Sequence, residues 1–183
     1  MSWKTFHNRG EILRDVVHVA NDRRDGALPM SVPGVAENFT DELDLVGALL
    51  LSWHARLSGN IERAMAREPM DLESAVASAW RTTAEQMPGV RMVIDRSTAA
   101  PATLEMERAM SRAHDRETAY LAIAAGLANG YNAVATEHGR RVEQLARTGL
   151  ALPRVQESVS VSDTEPDAPR ESFADRIRAV LAA

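Results

Sequence analysis

Two ionisable residues interrupt an apolar seam, and they are the first candidates for chemistry. Between Thr98 and Thr148 apolar side chains recur in steps of three and four, through Met106, Met110, Tyr120, Leu127, Val134, Val142 and Leu145. Glu117 and His138 fall on the same line. A buried carboxylate and a buried imidazole are the groups an acid–base or metal site would use. On one straight helix they would stand about 30 Å apart, at 1.5 Å of rise per residue. They therefore cannot share a ligand there, and each needs partners from other elements. His54 is one such partner, because it lies among Leu50, Leu57 and Ile61 on a second apolar face. His54, Glu117 and His138 are accordingly the candidate lining of a ligand or metal pocket. The alternative is an ordinary hydrogen-bonded core histidine and a structural ion pair. Burying Glu117 alone would cost several kcal/mol, so an arginine or tyrosine partner is expected.

A second constellation lies near the N-terminus. His7, Glu11, Asp15 and His18 follow one another at steps of four and three, so one helical turn separates neighbouring heads. Imidazoles and carboxylates at that spacing can share a divalent ion. The competing reading is a solvated face, with Arg9, Arg14, Arg23 and Arg24 around it.

Known helical metal sites set the limits. The chain holds no Glu-x-x-His motif, so a ferritin-like di-iron centre has no ligand set. His7 and Glu11 fit the His-x-x-x-Glu spacing of hemerythrin-like sites, but no second copy exists. The zinc-hydrolase spacing and the phosphate-binding glycine loop are both absent. Without cysteine there is no disulfide, thiolate ligand or cysteine nucleophile. No cofactor is predicted beyond an optional divalent metal.

The elements that must position these residues are all helical. Aromatic residues are scarce, and alanine, leucine, valine and methionine fill the apolar positions. The spacing predicts a helix from about Ser2 to Arg24, ended by Gly26, then an ordered loop with Pro29, Pro33 and Gly34. A helix follows from Thr40 to Glu68, carrying Leu43, Val46, Leu50, Trp53 and Leu57 on one side. Asp71 caps a third, Pro88-Gly89 interrupts it, Val90 to Arg96 reads as a short further helix, and a long helix spans Thr98 to Thr148. Gly126 and Gly130, and the line Ala48, Ser52, Ala55 and Gly59, read as faces for close helix packing. A break near Gly126–Gly130 is the competing expectation. The sum is an all-α antiparallel bundle of about four to five main helices over residues 1–150.

From residue 151 the composition changes. Residues 151–170 are rich in Ser, Pro, Asp and Glu and read as a disordered linker. Residues 171–183 read as a short amphipathic helix whose Phe173, Ile177, Val180 and Leu181 form a docking side for a partner. The ending Leu181-Ala182-Ala183 is similar to that of bacterial ribosome-rescue tags.

Parts of the chain resemble TetR-type repressors. Residues 11–26 are similar to the opening helix of that family, and Phe39 to Leu45 to the start of its linking helix. The stretch Met87-Pro-Gly-Val-Arg-Met-Val-Ile94 is similar to a turn in its ligand-binding half. Between Gly26 and Phe39 only twelve residues stand where the family places the two helices that enter DNA. The resemblance therefore implies the family's helical dimer and small-molecule pocket without its DNA-binding head.

The formal net charge of −5 and the mixed distribution of charges leave no basic stripe, so no nucleic-acid partner is expected. No stretch has the ~20 apolar residues of a membrane span, and the N-terminus lacks the apolar core of a signal peptide. A soluble, cytoplasmic protein is expected. Its function reads as non-catalytic: an interaction or regulatory protein that self-associates and docks a protein partner. A small-molecule or metal sensor and a helical-bundle metalloenzyme are the alternatives.

Overall fold

The computed structural model describes residues 3–149, with side chains from residue 8 onward. The predicted linker at 151–170 and the helix with Phe173, Ile177, Val180 and Leu181 lie outside the described residues. So does the side chain of His7.

The described residues form an all-α helical bundle of seven helices and no strand: α1 (Trp3–Arg23), α2 (Val35–Asn38), α3 (Glu42–Arg67), α4 (Leu72–Gln86), α5 (Pro88–Ala99), α6 (Leu104–Ala124) and α7 (Ala133–Thr148). None of these helices is long and apolar enough to cross a membrane.

Capping chemistry sets most of the boundaries. The side chains of Asp41, Asp71, Thr103 and Asn132 each accept a backbone N–H three residues on, at Asp44, Ser74, Met106 and Ala135. Pro88 occupies the first turn of α5, where its missing N–H costs nothing.

Residues 24–41 form a long return. It lets α3 begin beside α1, so that Arg9 meets Asp44 through two hydrogen bonds of 2.6 and 3.1 Å. Within the return, Val32, Val35 and Phe39 are buried. α3 is the longest helix and supplies the largest core side chains: Leu45, Leu49, Trp53, Leu57 and Ile61 are buried at steps of four. Val76 and Trp80 of α4, Val90 and Ile94 of α5 and Met106, Met110 and Leu121 of α6 complete the core.

The expected single helix from Thr98 to Thr148 is three pieces. Residues 100–103 with Pro101 separate α5 from α6, and residues 125–132 separate α6 from α7. The second break is a Schellman motif. Gly126, at φ 72°, donates its N–H to Ile123 at 3.0 Å, and Leu127 donates to Ala122 at 2.9 Å. Glycine takes that left-handed conformation without the penalty a Cβ brings. The seam therefore does not stay buried, and Tyr131 and Val134 are 67% and 60% exposed.

Close packing also falls at other glycines than expected. A Cβ at Gly130 would meet nothing within 4 Å, whereas one at Gly139 would lie 1.7 Å from the Thr118 carbonyl oxygen. Gly139 thus marks the tight crossing of the α6–α7 hairpin, lined by Ala119, Ala122 and Ala135. Gly89 plays the same part between α5 and α1, where a Cβ would lie 1.7 Å from the Ala20 carbonyl oxygen. Of the line Ala48, Ser52, Ala55 and Gly59, Ala48 is buried in the core, the other three border a cavity, and a Cβ at Gly59 would meet only the Arg63 side chain.

Candidate functional site

Glu117 is the centre of the molecule's buried polar chemistry. It lies in mid-α6, one turn before Leu121, and the stripe of Met106 and Met110 carries it into the core. Its Oε2 accepts the Trp53 indole N–H at 3.1 Å, and its Oε1 accepts that of Trp80 at 3.3 Å. Arg91 donates from Nη1 to Oε1 at 3.2 Å. The two indoles meet edge to face at 5.7 Å between centroids, and the Arg91 guanidinium carbon stands 4.9 Å from the Trp53 ring centre. One side chain from each of α3, α4 and α5 therefore converges on the carboxylate that α6 supplies.

Arg91 carries the network outward. It bonds Asp95 one turn along α5, through Nε at 3.0 Å. Asp95 in turn receives Arg147 of α7 in a bidentate pair of 2.8 and 3.0 Å. Arg147 also donates to Glu143 at 2.9 Å, and His114 of α6 stands 3.9 Å from Glu143. Three carboxylates thus face two guanidiniums. Burial opposes ionisation of both Asp95 and Arg147. Their mutual hydrogen bonds and the neighbouring charges outweigh it, so Asp95 titrates below and Arg147 above its ordinary value.

His54 approaches the same carboxylate, with Nε2 at 3.8 Å from Oε2 of Glu117. Burial depresses its pKa most; the Glu117 charge raises it and the Arg91 charge lowers it, leaving a net fall. At neutral pH it is an uncharged imidazole beside the carboxylate.

Of the three candidate pocket residues, the structure brings two together. His138 lies on α7, where its Nδ1 meets the guanidinium of Arg141. In the other constellation, Glu11, Asp15 and His18 are exposed on α1, and His18 Nε2 stands 3.4 Å from Asp22. Among the described residues no three His, Asp or Glu side chains are placed to hold one metal ion.

The chemistry this permits is narrow. Both oxygens of Glu117 are already committed to N–H donors, and the side chain is 4% exposed. No buried side-chain nitrogen or oxygen among the described residues lacks a hydrogen-bond partner. With three N–H donors on its two oxygens and little exposed surface, that carboxylate is taken up by contacts within the bundle. Its visible role is to clamp four helices.

The expected arginine partner is Arg91; the two tryptophans were not foreseen. A signal for Arg91 existed: it occupies the step between Met87 and Ile94 on the apolar side of α5, as Glu117 does in α6. Glu143 sits likewise between Gly139 and Ala146.

The return between α1 and α3 contains only the four-residue α2, so no helix-turn-helix is present there. No protein-family model matches the chain, and neither the curated proteins nor the solved structures yield a match.

Proposed function

We propose that this chain is a non-catalytic helical interaction protein that pairs with a second copy of itself through the groove between α1 and α3. The observation that carries this is Leu51, 73% exposed on α3 above an open groove of about 720 Å³. Gly10 on one wall and Gly47 on the other leave space, since a Cβ at either would meet nothing within 4 Å. One patch thus holds both a knob and holes to receive it. That is the self-complementarity a two-fold interface needs, where each residue meets its counterpart's neighbour. The groove is rigid at its edge: Arg9 bonds Asp44 and the Asn38 carbonyl, and that bonding holds the Asp44 carboxyl below the usual carboxylate range.

The enclosed state of Glu117 supports the non-catalytic half of the reading, because the polar cluster is spent on packing. The docking of a protein partner by Phe173, Ile177, Val180 and Leu181 stands on sequence alone.

Sedimentation of the full chain over micromolar concentrations tests the proposal. A dimer is expected, and Leu51→Arg should yield a monomer with unchanged helical circular dichroism, because Leu51 contributes little to the monomer core. A wild-type chain that stays monomeric overturns the reading. Deletion of residues 172–183 separates the two candidate interfaces: an intact dimer supports the α1–α3 groove, and a monomer assigns pairing to the deleted segment instead.

A further inference from the structure

We infer that the second cavity along α1 and α3 is a binding site for a small amphiphilic anion, a carboxylate or phosphate head on an apolar body. The cavity is about 620 Å³, within the range of small-molecule sites. Three arginines line it, Arg14, Arg56 and Arg63, and no acidic residue does. Its apolar lining includes Leu13, Val17 and Met87.

The case rests on how Arg63 is held. Its Nη2 donates to the Asn60 side-chain oxygen at 2.6 Å. The Asn60 amide nitrogen donates to the Thr83 hydroxyl at 2.8 Å, and that hydroxyl donates to the Ala79 carbonyl at 2.7 Å. Asn60 is 5% exposed and Thr83 fully buried. A buried relay of neutral groups therefore fixes the guanidinium at the cavity edge, and nothing in the relay cancels its charge. Among the described residues neither Arg63 nor Arg56 has a carboxylate within ion-pair distance, and Arg14 has only Glu11 at 3.8 Å.

The other arginines with buried or half-buried contacts in this fold behave differently. Arg9, Arg91 and Arg147 each meet a carboxylate at 3.2 Å or closer. A guanidinium oriented by a neutral amide keeps N–H donors for an incoming anion and loses little entropy on binding it. A polar head at Arg56 and Arg63 leaves the rest of the ligand against Leu13, Val17 and Met87. This site does not depend on self-association: it shares only Leu13 and Ser52 with the apolar groove.

Titration calorimetry of the full chain with octanoate, octyl phosphate, 1-octanol and inorganic phosphate tests the inference. Saturable binding of at least one of the two octyl anions, with neither 1-octanol nor inorganic phosphate bound as tightly, is expected; which head binds better names the ligand class. The double substitution Arg56→Gln and Arg63→Gln should weaken that binding by about tenfold or more, as loss of charged hydrogen bonds implies. A control pair of exposed arginines on α6, Arg108→Gln and Arg112→Gln, should leave it unchanged. Absence of binding, equal binding of 1-octanol, or equal loss in both pairs overturns the site. Sedimentation of the same samples keeps the two proposals apart, since a monomer that binds the anion retains this site while discarding the dimer.

Discussion

At the scale of single residues, Glu117 shows why a charged side chain on an apolar seam is informative and also why it misleads. The seam position announces burial, and burial demands partners, so an arginine was foreseeable. The identity of those partners was not, because Trp53, Trp80 and Arg91 lie 64, 37 and 26 residues away in the chain and meet only in the folded bundle. Spacing within one helix says which face a residue takes; it carries no register between helices. The clamp is fully hydrogen-bonded, so its loss should be costly. In Glu117→Gln the amide nitrogen must face an indole N–H or the Arg91 guanidinium, donor against donor, and Arg91 loses part of its counter-charge. Breaking a buried pair in this way costs about 3 kcal/mol. Urea unfolding should show that loss with an unchanged slope. A difference below about 0.5 kcal/mol, the ordinary range of surface changes, would mean the clamp is not structural.

At the scale of elements, helix existence and most starts were legible, because caps and prolines are local signals. Asp71 and the Pro29–Gly34 loop needed no tertiary information, whereas Pro88-Gly89, which reads as an interruption before Val90, is the first turn of α5. The α6–α7 hairpin was not resolved by the same logic, although its signal was present. Gly126 sits in a stretch whose apolar periodicity runs straight through, and periodicity alone cannot tell a continuous seam from one that folds back. The physical difference is made at Gly139, where the hairpin's backbones touch. Adding one methyl there, Gly139→Ala, drives a Cβ onto the Thr118 carbonyl and must part the helices. Overpacking of this kind costs about 1–3 kcal/mol. Gly130→Ala, in open space and without positive φ, should change stability by a few tenths at most. Thermal unfolding of the two variants checks this pair, and equal stabilities would contradict the tight crossing.

At the scale of the whole molecule, the buried polar network ties stability to pH in two separable steps. His54 holds its proton less readily when folded than the ordinary imidazole value of about 6.5, chiefly through burial. Below that pH the unfolded chain binds a proton that the folded one refuses, so stability falls as pH drops through and below ~6.5. Asp95 titrates lower when folded than when unfolded, since Arg147 and Arg91 outweigh its burial. Its contribution is present above about pH 4 and is lost as pH falls through its folded value, together with those of Asp44 and Asp25. Replacing His54 by glutamine removes the first titration and leaves the second, because Asp95 reaches Glu117 only through Arg91. Urea midpoints should therefore decline between pH 7 and 5 for the wild type and stay level for His54→Gln, with both falling below about pH 4. An undiminished decline in His54→Gln would move the first step to another histidine and detach the Glu117 clamp from the pH response.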